Sequence, residues 1–203
     1  MSRQSRIIGL TGGIATGKSM VAADLEARHQ VPVLDADVLA RELVQPGTMA
    51  LKQICDRYGD GILQANGQLD RPQLGQIIFA DAAERRWLES VIHPGVRTAL
   101  CAGRQKWVQA AIPVGVMVVP LLFEAQMTDL VDEIWVVACP LAIQIERLMG
   151  RDRISLEQAQ ARIASQMPLA TKIAQATVVL SNDGSLAALQ AQIDAALSSD
   201  PRD

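Results

Sequence analysis

The sequence predicts a three-layer α/β/α protein in which helices cover both faces of a parallel sheet. Along its 203 residues, short apolar runs typical of buried strands alternate with segments whose apolar residues recur at helical spacing. That alternation is typical of a parallel, doubly wound sheet. Hydrophobic residues make up 49% of the chain, which is enough to bury a sheet on both faces. A glycine-rich turn directly after the first apolar run indicates what such a sheet would bind.

The glycine-rich turn has the sequence GGIATGKS and follows the strand-like run Ile7–Leu10. It fits the pattern G-x-x-x-x-G-K-[ST], a phosphate-binding loop (P-loop) whose backbone N–H groups surround an anion at the start of a helix. In such a loop Lys18 reaches the β- and γ-phosphates, and the Ser19 hydroxyl ligates the Mg²⁺ that accompanies ATP. The alternative is a glycine turn that binds nothing. The motif therefore predicts an ATP site formed by Gly12, Gly13, Ile14, Ala15, Thr16, Gly17, Lys18, Ser19 and Met20.

A second short strand is predicted at Val31–Leu34, and it ends in the sequence Asp35-Ala36-Asp37. Ligands of open α/β sheets bind at the carboxyl ends of the strands, so one of these carboxylates can face the phosphates. The alternative is that Asp37 is only the N-cap of the next helix, a role that aspartate often fills. This stretch alone leaves both interpretations open.

The segment from residue 46 to residue 112 is predicted to be a mostly helical insertion that covers the second substrate. Helices are expected at Met49–Tyr58 and after Asp70, with a turn at Asn66-Gly67 between them. Another helix is expected to end at His93, because the residue before a proline is pushed out of helical geometry. His93 would then lie at a bend, either as a structural residue or as part of a site.

The third core strand, Val114–Val119, ends in Pro120 and is followed by Leu121–Glu124. Many P-loop enzymes end this strand in an aspartate that binds magnesium, and no aspartate stands here. Ser19 and a carboxylate from elsewhere must then hold the metal. Asp37 is the obvious candidate.

The fourth strand, Glu133–Ala138, leads into a helix that starts at Pro140. Its core-facing residues are expected to be Leu141, Ile145 and Leu148.

Two arginines of this helix, Arg147 and Arg151, are four residues apart and share one stripe. They are either solvated surface charges or the cations that a transferring phosphoryl group needs around its oxygens. A capping box at Ser155–Gln158 starts another short helix, which carries Arg162. We predict that residues 147–168 form a mobile lid.

A last strand is predicted at Thr177–Leu180, followed by a turn at Asn182, which we assign to the ATP site. Ser185 is expected to cap the final helix. The residues of that helix expected to face the core are Leu186, Leu189, Ile193 and Leu197. Residues 198–203 are expected to be frayed.

Charge and composition exclude several classes of partner. The formal net charge of -3 argues against a general nucleic-acid or anionic-membrane binder, which would need a basic surface. Apolar runs are far shorter than the ~20 residues of a membrane-spanning helix, and no targeting pattern precedes the P-loop, so a cytoplasmic protein is expected. The three cysteines lack C-x-x-C spacing and are expected to be buried free thiols.

These motifs, in this order, resemble those of the dephospho-CoA kinase family from about Ile7 to Leu197. The segments that carry the resemblance are Leu10–Ile14 with Gly17–Ser19, Asp35–Asp37 with Ala40-Arg41, His93-Pro94, Val119–Glu124, and Arg147 with Arg151-Asp152. Two departures are mild. Ala15-Thr16 stands where the family usually has Gly-Ser, and Met20 stands where Thr is common.

The resemblance implies a nucleoside-monophosphate-kinase-like fold with three parts. These are a nucleotide-binding core of residues 1–45, 113–146 and 169–203, a CoA-binding part of residues 46–112, and the lid. It also implies transfer of the ATP γ-phosphoryl group to the ribose 3′-hydroxyl of dephospho-CoA, the last step of coenzyme A synthesis. The partners would be ATP and dephospho-CoA, with Mg²⁺ as cofactor, in a monomer or small homo-oligomer.

The resemblance further implies roles for single residues. Asp37 would be the general base. Independently of the resemblance, Ser19 and Asp37 are the predicted magnesium ligands, and Lys18, Arg147 and Arg151 are the cations of the predicted catalytic set. Acceptor contacts would come from Thr11, Asp37, His93, Pro120, Leu121, Leu122 and Glu124.

Two other functions fit parts of the same pattern. One is a P-loop kinase of another small acceptor, such as a nucleoside monophosphate or shikimate. The other is an ATP-binding switch that closes its lid without turnover. Measuring ADP release with and without dephospho-CoA removes most of this uncertainty, because only the dephospho-CoA kinase is stimulated by that acceptor.

Overall fold

The computed structural model describes residues 5–199, which fall into two compact units. The described part of the first unit covers residues 5–35 and 104–199, and the second unit is Ala36–Gly103. The predicted insertion of residues 46–112 overlaps most of the second unit, and the predicted lid lies within the first. Of the predicted frayed terminus, residues 200–203 lie outside the described residues.

The first unit contains a parallel sheet of five strands in the order β2-β3-β1-β4-β5. The strands are β1 (Arg6–Gly12), β2 (Val33–Asp35), β3 (Val114–Val118), β4 (Glu133–Ala138) and β5 (Val178–Ser181). Every ladder is parallel, for example Leu10 opposite Val118 and Trp135. The predicted α/β fold is confirmed, with strand ends shifted by one or two residues.

Helices occupy most of the remaining chain. Their bounds are α1 (Lys18–His29), α2 (Ala36–Glu42), α3 (Met49–Tyr58), α4 (Arg71–Ala80), α5 (Ala82–Gln109), α6 (Leu141–Asp152), α7 (Leu156–Ala164), α8 (Leu169–Ile173) and α9 (Leu186–Ser198). Both predicted N-caps, Ser155 and Ser185, accept a hydrogen bond from the first turn of their helix, and Asp70 does the same for α4. Within residues 5–199, none of these helices is long and apolar enough to span a membrane.

One face of the sheet packs against α1 and α9. Val21 and Leu25 of α1 and Leu189 and Ile193 of α9 are almost fully buried in the same cluster as Trp135 of the sheet. Burying a large apolar side chain contributes about 1.5–3 kcal/mol, so this layer is a major source of stability. It also fixes the turn between β1 and the first residue of α1.

A buried ion pair joins β1, β4 and the end of α9. The Arg6 guanidinium donates two hydrogen bonds to the Glu133 carboxylate, one of them over 2.9 Å, and both side chains are at most 3% exposed. Arg6 also donates to the backbone oxygens of Leu197 at 2.9 Å and Ala196 at 3.0 Å. The free carbonyl groups at the helix end therefore receive donors from the first strand.

The prediction that a helix ends at His93 is wrong. Helix α5 continues through Pro94 to Gln109. A proline inside a helix removes one backbone hydrogen bond and costs about 3 kcal/mol, which the buried residues on both sides, Leu88 and Val96, offset by packing. The next residue, Gly95, leaves room for the Leu43 side chain to pack against α5, because a Cβ there would lie only 2.8 Å from a methyl group of Leu43.

Two leucines predicted to face the core are exposed. Leu141 and Leu186 retain 59% and 54% of their accessible surface. Each lies seven residues before a fully buried position, Leu148 and Ile193, so the predicted helix face is right. Both, however, are the first residues of their helices, and the core that buries the later turns does not reach the first turn.

The three cysteines are free thiols with different exposure. Cys139 is buried, Cys55 is partly buried and Cys101 is exposed. The expectation of burial is therefore wrong for Cys101, which follows the buried Leu100 by one position and so points about 100° away around α5.

Candidate nucleotide-binding site

The turn between β1 and α1 requires glycine at two places. Gly12 has φ 151° and Gly17 has φ 103°. A Cβ on Gly12 would lie 2.3 Å from the backbone oxygen of Val137, and a Cβ on Gly17 would lie 2.0 Å from Nδ2 of Asn182. No larger residue fits this close approach without a shift of the backbone or of Asn182.

The middle of the loop holds a residue that is not glycine in the left-handed region. Ala15 has φ 58°, a conformation that costs roughly 1–2 kcal/mol in an L-residue. Neighbouring hydrogen bonds compensate, since Thr16 donates from Oγ1 to the backbone oxygen of Gly13 at 2.9 Å. The substitution of Ala for the family's usual Gly is thus accommodated with strain.

Lys18 folds back over the loop that precedes it. Its Nζ atom donates to the backbone oxygen of Gly13 at 2.7 Å and of Gly12 at 3.3 Å. The ammonium therefore lies against the carbonyl oxygens at the start of the loop. Ser19 and Met20 are exposed in the first turn of α1, so the Ser19 hydroxyl is accessible to a ligand.

Asn182, which the sequence analysis assigns to the ATP site, links the end of β5 to the P-loop. It is 5% exposed, and its Nδ2 atom donates to the backbone oxygen of Thr16 at 2.8 Å. Arg147 donates from Nη2 to the backbone oxygen of Asn182 at 3.1 Å. Its Nη1 atom is buried and has no nitrogen or oxygen partner within residues 5–199, while the guanidinium faces the Cys139 thiol. A buried donor without a nitrogen or oxygen acceptor is uncommon in a folded protein.

The second arginine of this helix has a different partner. Arg151 donates to the carboxylate of Asp152 at 2.7 Å, and Arg162 of α7 donates to the same carboxylate at 2.7 Å. The hydrogen bond from Arg151 and the positive charges of both arginines hold the pKa of Asp152 below its usual value. At neutral pH the ionised Asp152 thus joins the two helices of the predicted lid.

The residues after β3 form a connected polar network. Thr11 donates from Oγ1 to the backbone oxygen of Pro120 at 3.2 Å, and Lys172 donates to the same oxygen at 3.1 Å. Lys172 also pairs with the Glu124 carboxylate at 2.9 Å. Leu121 is partly exposed, whereas Leu122 is fully buried and leaves no side-chain surface for an acceptor.

Asp37 and His93 belong to the second unit. Asp37 is exposed and lies inside the first turn of α2, so the N-cap interpretation is wrong. His93 is partly buried within α5. Asp35 is the last residue of β2 in the first unit, opposite Val118.

Comparison with known proteins identifies the family. The sequence pattern of the family described as dephospho-CoA kinase matches residues 6–188. A dephospho-CoA kinase of Trichormus variabilis is 52% identical over 192 residues, which cover 95% of this chain and 96% of that protein. This chain belongs to the dephospho-CoA kinase family.

Solved structures agree with the fold of a dephospho-CoA kinase. A protein of Thermus thermophilus is 35% identical with a TM-score of 0.78, and the match covers 96% of this chain and 97% of that one. The dephospho-CoA kinase of Campylobacter jejuni is 24% identical with a TM-score of 0.71 and 95% coverage of both chains. At that identity the second likeness supports the fold alone.

Three polar residues of this family member that contact the P-loop or the stretch after β3 are not indicated by sequence patterns. Gln166 accepts a hydrogen bond from the backbone N–H of Ile14 at 2.9 Å. The side-chain amide of Gln144 lies close to Gly13, and Lys172 is fully buried. Gln166 lies in a connection, Lys172 on the short helix α8 and Gln144 within α6, and none of them belongs to a motif, so the sequence carried no signal for them.

Proposed function

We propose that this chain transfers the γ-phosphoryl group of ATP to the ribose 3′-hydroxyl of dephospho-CoA, giving coenzyme A and ADP. The observation that carries the proposal is the family match over residues 6–188, because it includes the P-loop and the whole helical unit. The folded P-loop, with Lys18 bonded to its Gly13 carbonyl oxygen, supports ATP as the phosphoryl donor.

The P-loop and its neighbours would bind the triphosphate. The loop amides from Ala15 to Met20 and the Lys18 ammonium would surround the β- and γ-phosphates, while the Ile14 amide stays bonded to Gln166. Arg147 would offer its buried Nη1 donor to the nucleotide. Arg151 would turn from Asp152 toward the phosphates when the lid closes, which brings cations to the triphosphate and excludes water.

The donors present suit a magnesium ion that travels with ATP. Magnesium is usually held by one or two protein oxygens together with phosphates and water, and Ser19 and Asp37 would be those two ligands. Among residues 5–199, no group of three or more metal-ligating side chains forms a closed cage. When bound, the ion neutralises charge on the β- and γ-phosphates.

The reaction needs a general base for the acceptor hydroxyl and residues that contact the acceptor molecule. Asp37 would accept the 3′-hydroxyl proton as the oxygen attacks the γ-phosphorus and the bond to the β,γ-bridging oxygen breaks. Thr11, His93, Pro120 and Leu121 would contact the acceptor. Leu122, which is buried, and Glu124, which is paired with Lys172, would hold Pro120 and Leu121 in position.

Replacing Asp37 with asparagine is expected to lower turnover by roughly 10²-fold or more, the usual range for losing a general base. The matched control is Asp35→Asn, which removes the neighbouring carboxylate and is expected to reduce turnover less. Both variants are assayed for kcat and for ATP affinity at several magnesium concentrations. A reversed ranking would make Asp35 the base, and a raised magnesium requirement in Asp37→Asn would identify it as a metal ligand as well.

Acceptor specificity tests the proposed function directly. ADP formation is measured with dephospho-CoA, AMP, shikimate or water as acceptor under equal ATP and magnesium. Dephospho-CoA is expected to stimulate ADP formation far more than the other three. If AMP or shikimate proved the better acceptor, the chain would be a P-loop kinase of another small molecule; nucleotide binding without turnover would make it a switch.

A further inference from the structure

The segment Gln166–Lys172, here named the strap, leaves the predicted lid and contacts the loops that follow two neighbouring strands. At its first residue, the Oε1 atom of Gln166 accepts the backbone N–H of Ile14 in the P-loop at 2.9 Å. The next residue, Met167, donates its backbone N–H to Oε1 of Glu124 at 3.0 Å. The strap therefore joins the ATP-binding loop to the stretch after β3.

The far end of the strap is firmly anchored. Lys172 is 0% exposed, and its ammonium donates to the backbone oxygen of Pro120 at 3.1 Å and pairs with Glu124 at 2.9 Å. A buried ammonium must keep such partners, because losing one leaves an uncompensated charge out of water. Glu124 thus holds two residues of the strap at once.

The first residue of the strap, Gln166, holds the Gly13-Ile14 peptide group of the P-loop by its N–H. The Gly13 oxygen of the Gly13-Ile14 peptide accepts hydrogen bonds from Lys18 at 2.7 Å and from Thr16 at 2.9 Å. The N–H of the same peptide donates to Gln166. Both polar atoms are therefore paired, and the peptide cannot rotate without breaking these bonds.

This fixation matters because the next residue is conformationally strained. Ala15 has φ 58°, and a residue with a Cβ stays in the left-handed region only when its surroundings hold it there. Thr16 supplies one restraint from within the loop, and Gln166 supplies another from outside it. Without Gln166, Ile14 and Ala15 are free to relax away from the phosphate-binding form.

We propose that the strap positions the P-loop for ATP and that Gln166 is the positioning residue through which it acts. The kinetic consequence rests on the proposed function. The structural consequence does not, because it concerns the loop before any substrate binds.

The kinetic test compares Gln166→Ala with Gln160→Ala, an exposed glutamine on α7. Gln166→Ala is expected to lower kcat/KM for ATP about 5- to 10-fold, the effect of losing one hydrogen bond, and to leave KM for dephospho-CoA within about twofold. Gln166→Glu keeps an acceptor oxygen at the same reach but adds charge beside the triphosphate. Its deficit is therefore expected to shrink at high salt, whereas that of Gln166→Ala is not.

The structural test measures hydrogen exchange of the Ile14 amide in the enzyme without substrates. We expect protection in the parent, in Gln160→Ala and in Gln166→Glu, and exchange about tenfold faster in Gln166→Ala. Equal protection in the parent and Gln166→Ala, or equal kcat/KM for ATP in an active parent and Gln166→Ala, overturns the inference. A parent whose ADP formation does not depend on dephospho-CoA overturns the proposed function instead, and the exchange result still tests the strap.

Discussion

Replacing Lys18 with alanine is expected to reduce turnover by roughly 10³-fold or more while the fold survives. In phosphoryl transfer the protein contributes mainly position and charge, and Lys18 is the cation of the P-loop. Its Nζ atom hydrogen-bonds the backbone oxygens of Gly13 and Gly12, and the alanine substitution leaves that backbone in place. Turnover is measured as dephospho-CoA-dependent ADP formation, and folding by circular dichroism and thermal unfolding.

The matched control for this variant is Lys106→Ala, because Lys106 is an exposed lysine on α5. It should leave turnover and thermal unfolding unchanged. A Lys18→Ala enzyme with near-parent turnover would remove this loop from catalysis. An unfolded Lys18→Ala protein would mean that the lysine has a structural role that its contacts do not indicate.

Replacing Arg6 with methionine is expected to lower the free energy of unfolding by about 3–5 kcal/mol, because it leaves the buried Glu133 carboxylate without its cation. The backbone oxygens of Ala196 and Leu197 lose their bonds from Arg6 at the same time, although Ala196 keeps the Ser199 hydroxyl as a donor at 3.2 Å. Domains are usually stable by only about 5–15 kcal/mol, so this loss would leave the protein marginally stable. Urea titration followed by circular dichroism measures it.

Two further variants separate the causes. Arg6→Met combined with Glu133→Leu removes both charges and should recover part of the loss, since an apolar pair of similar volume often replaces a buried ion pair without penalty. Arg28→Met removes a partly exposed arginine that pairs with Asp194, and its effect should be far smaller. Equal losses in Arg6→Met and Arg28→Met would contradict the assignment of stability to the buried pair.

The sequence by itself determined the fold class, the P-loop and the helix caps. These features depend on residues close together in the chain: alternation of apolar runs specifies the parallel sheet, and Gly12, Gly17 and Lys18 have fixed spacing. Ser155 and Ser185 cap their helices through groups three residues away. The family resemblance, which the comparisons confirm, rests on such local motifs taken in order.

Only the tertiary structure decided which polar residues meet and which helical pattern continues. Arg6 and Glu133 are 127 residues apart, and Ile14 and Gln166 are 152 apart, so no local spacing relates them. Burial of Lys172 depends on Glu124 and Pro120 being present to satisfy its charge. Helix α5 crosses Pro94 because packing on both sides outweighs one missing hydrogen bond. Local sequence patterns indicate the conformation that a segment favours. The contacts of each residue depend on the packing of elements distant in sequence, and that packing can compensate an unfavourable local conformation.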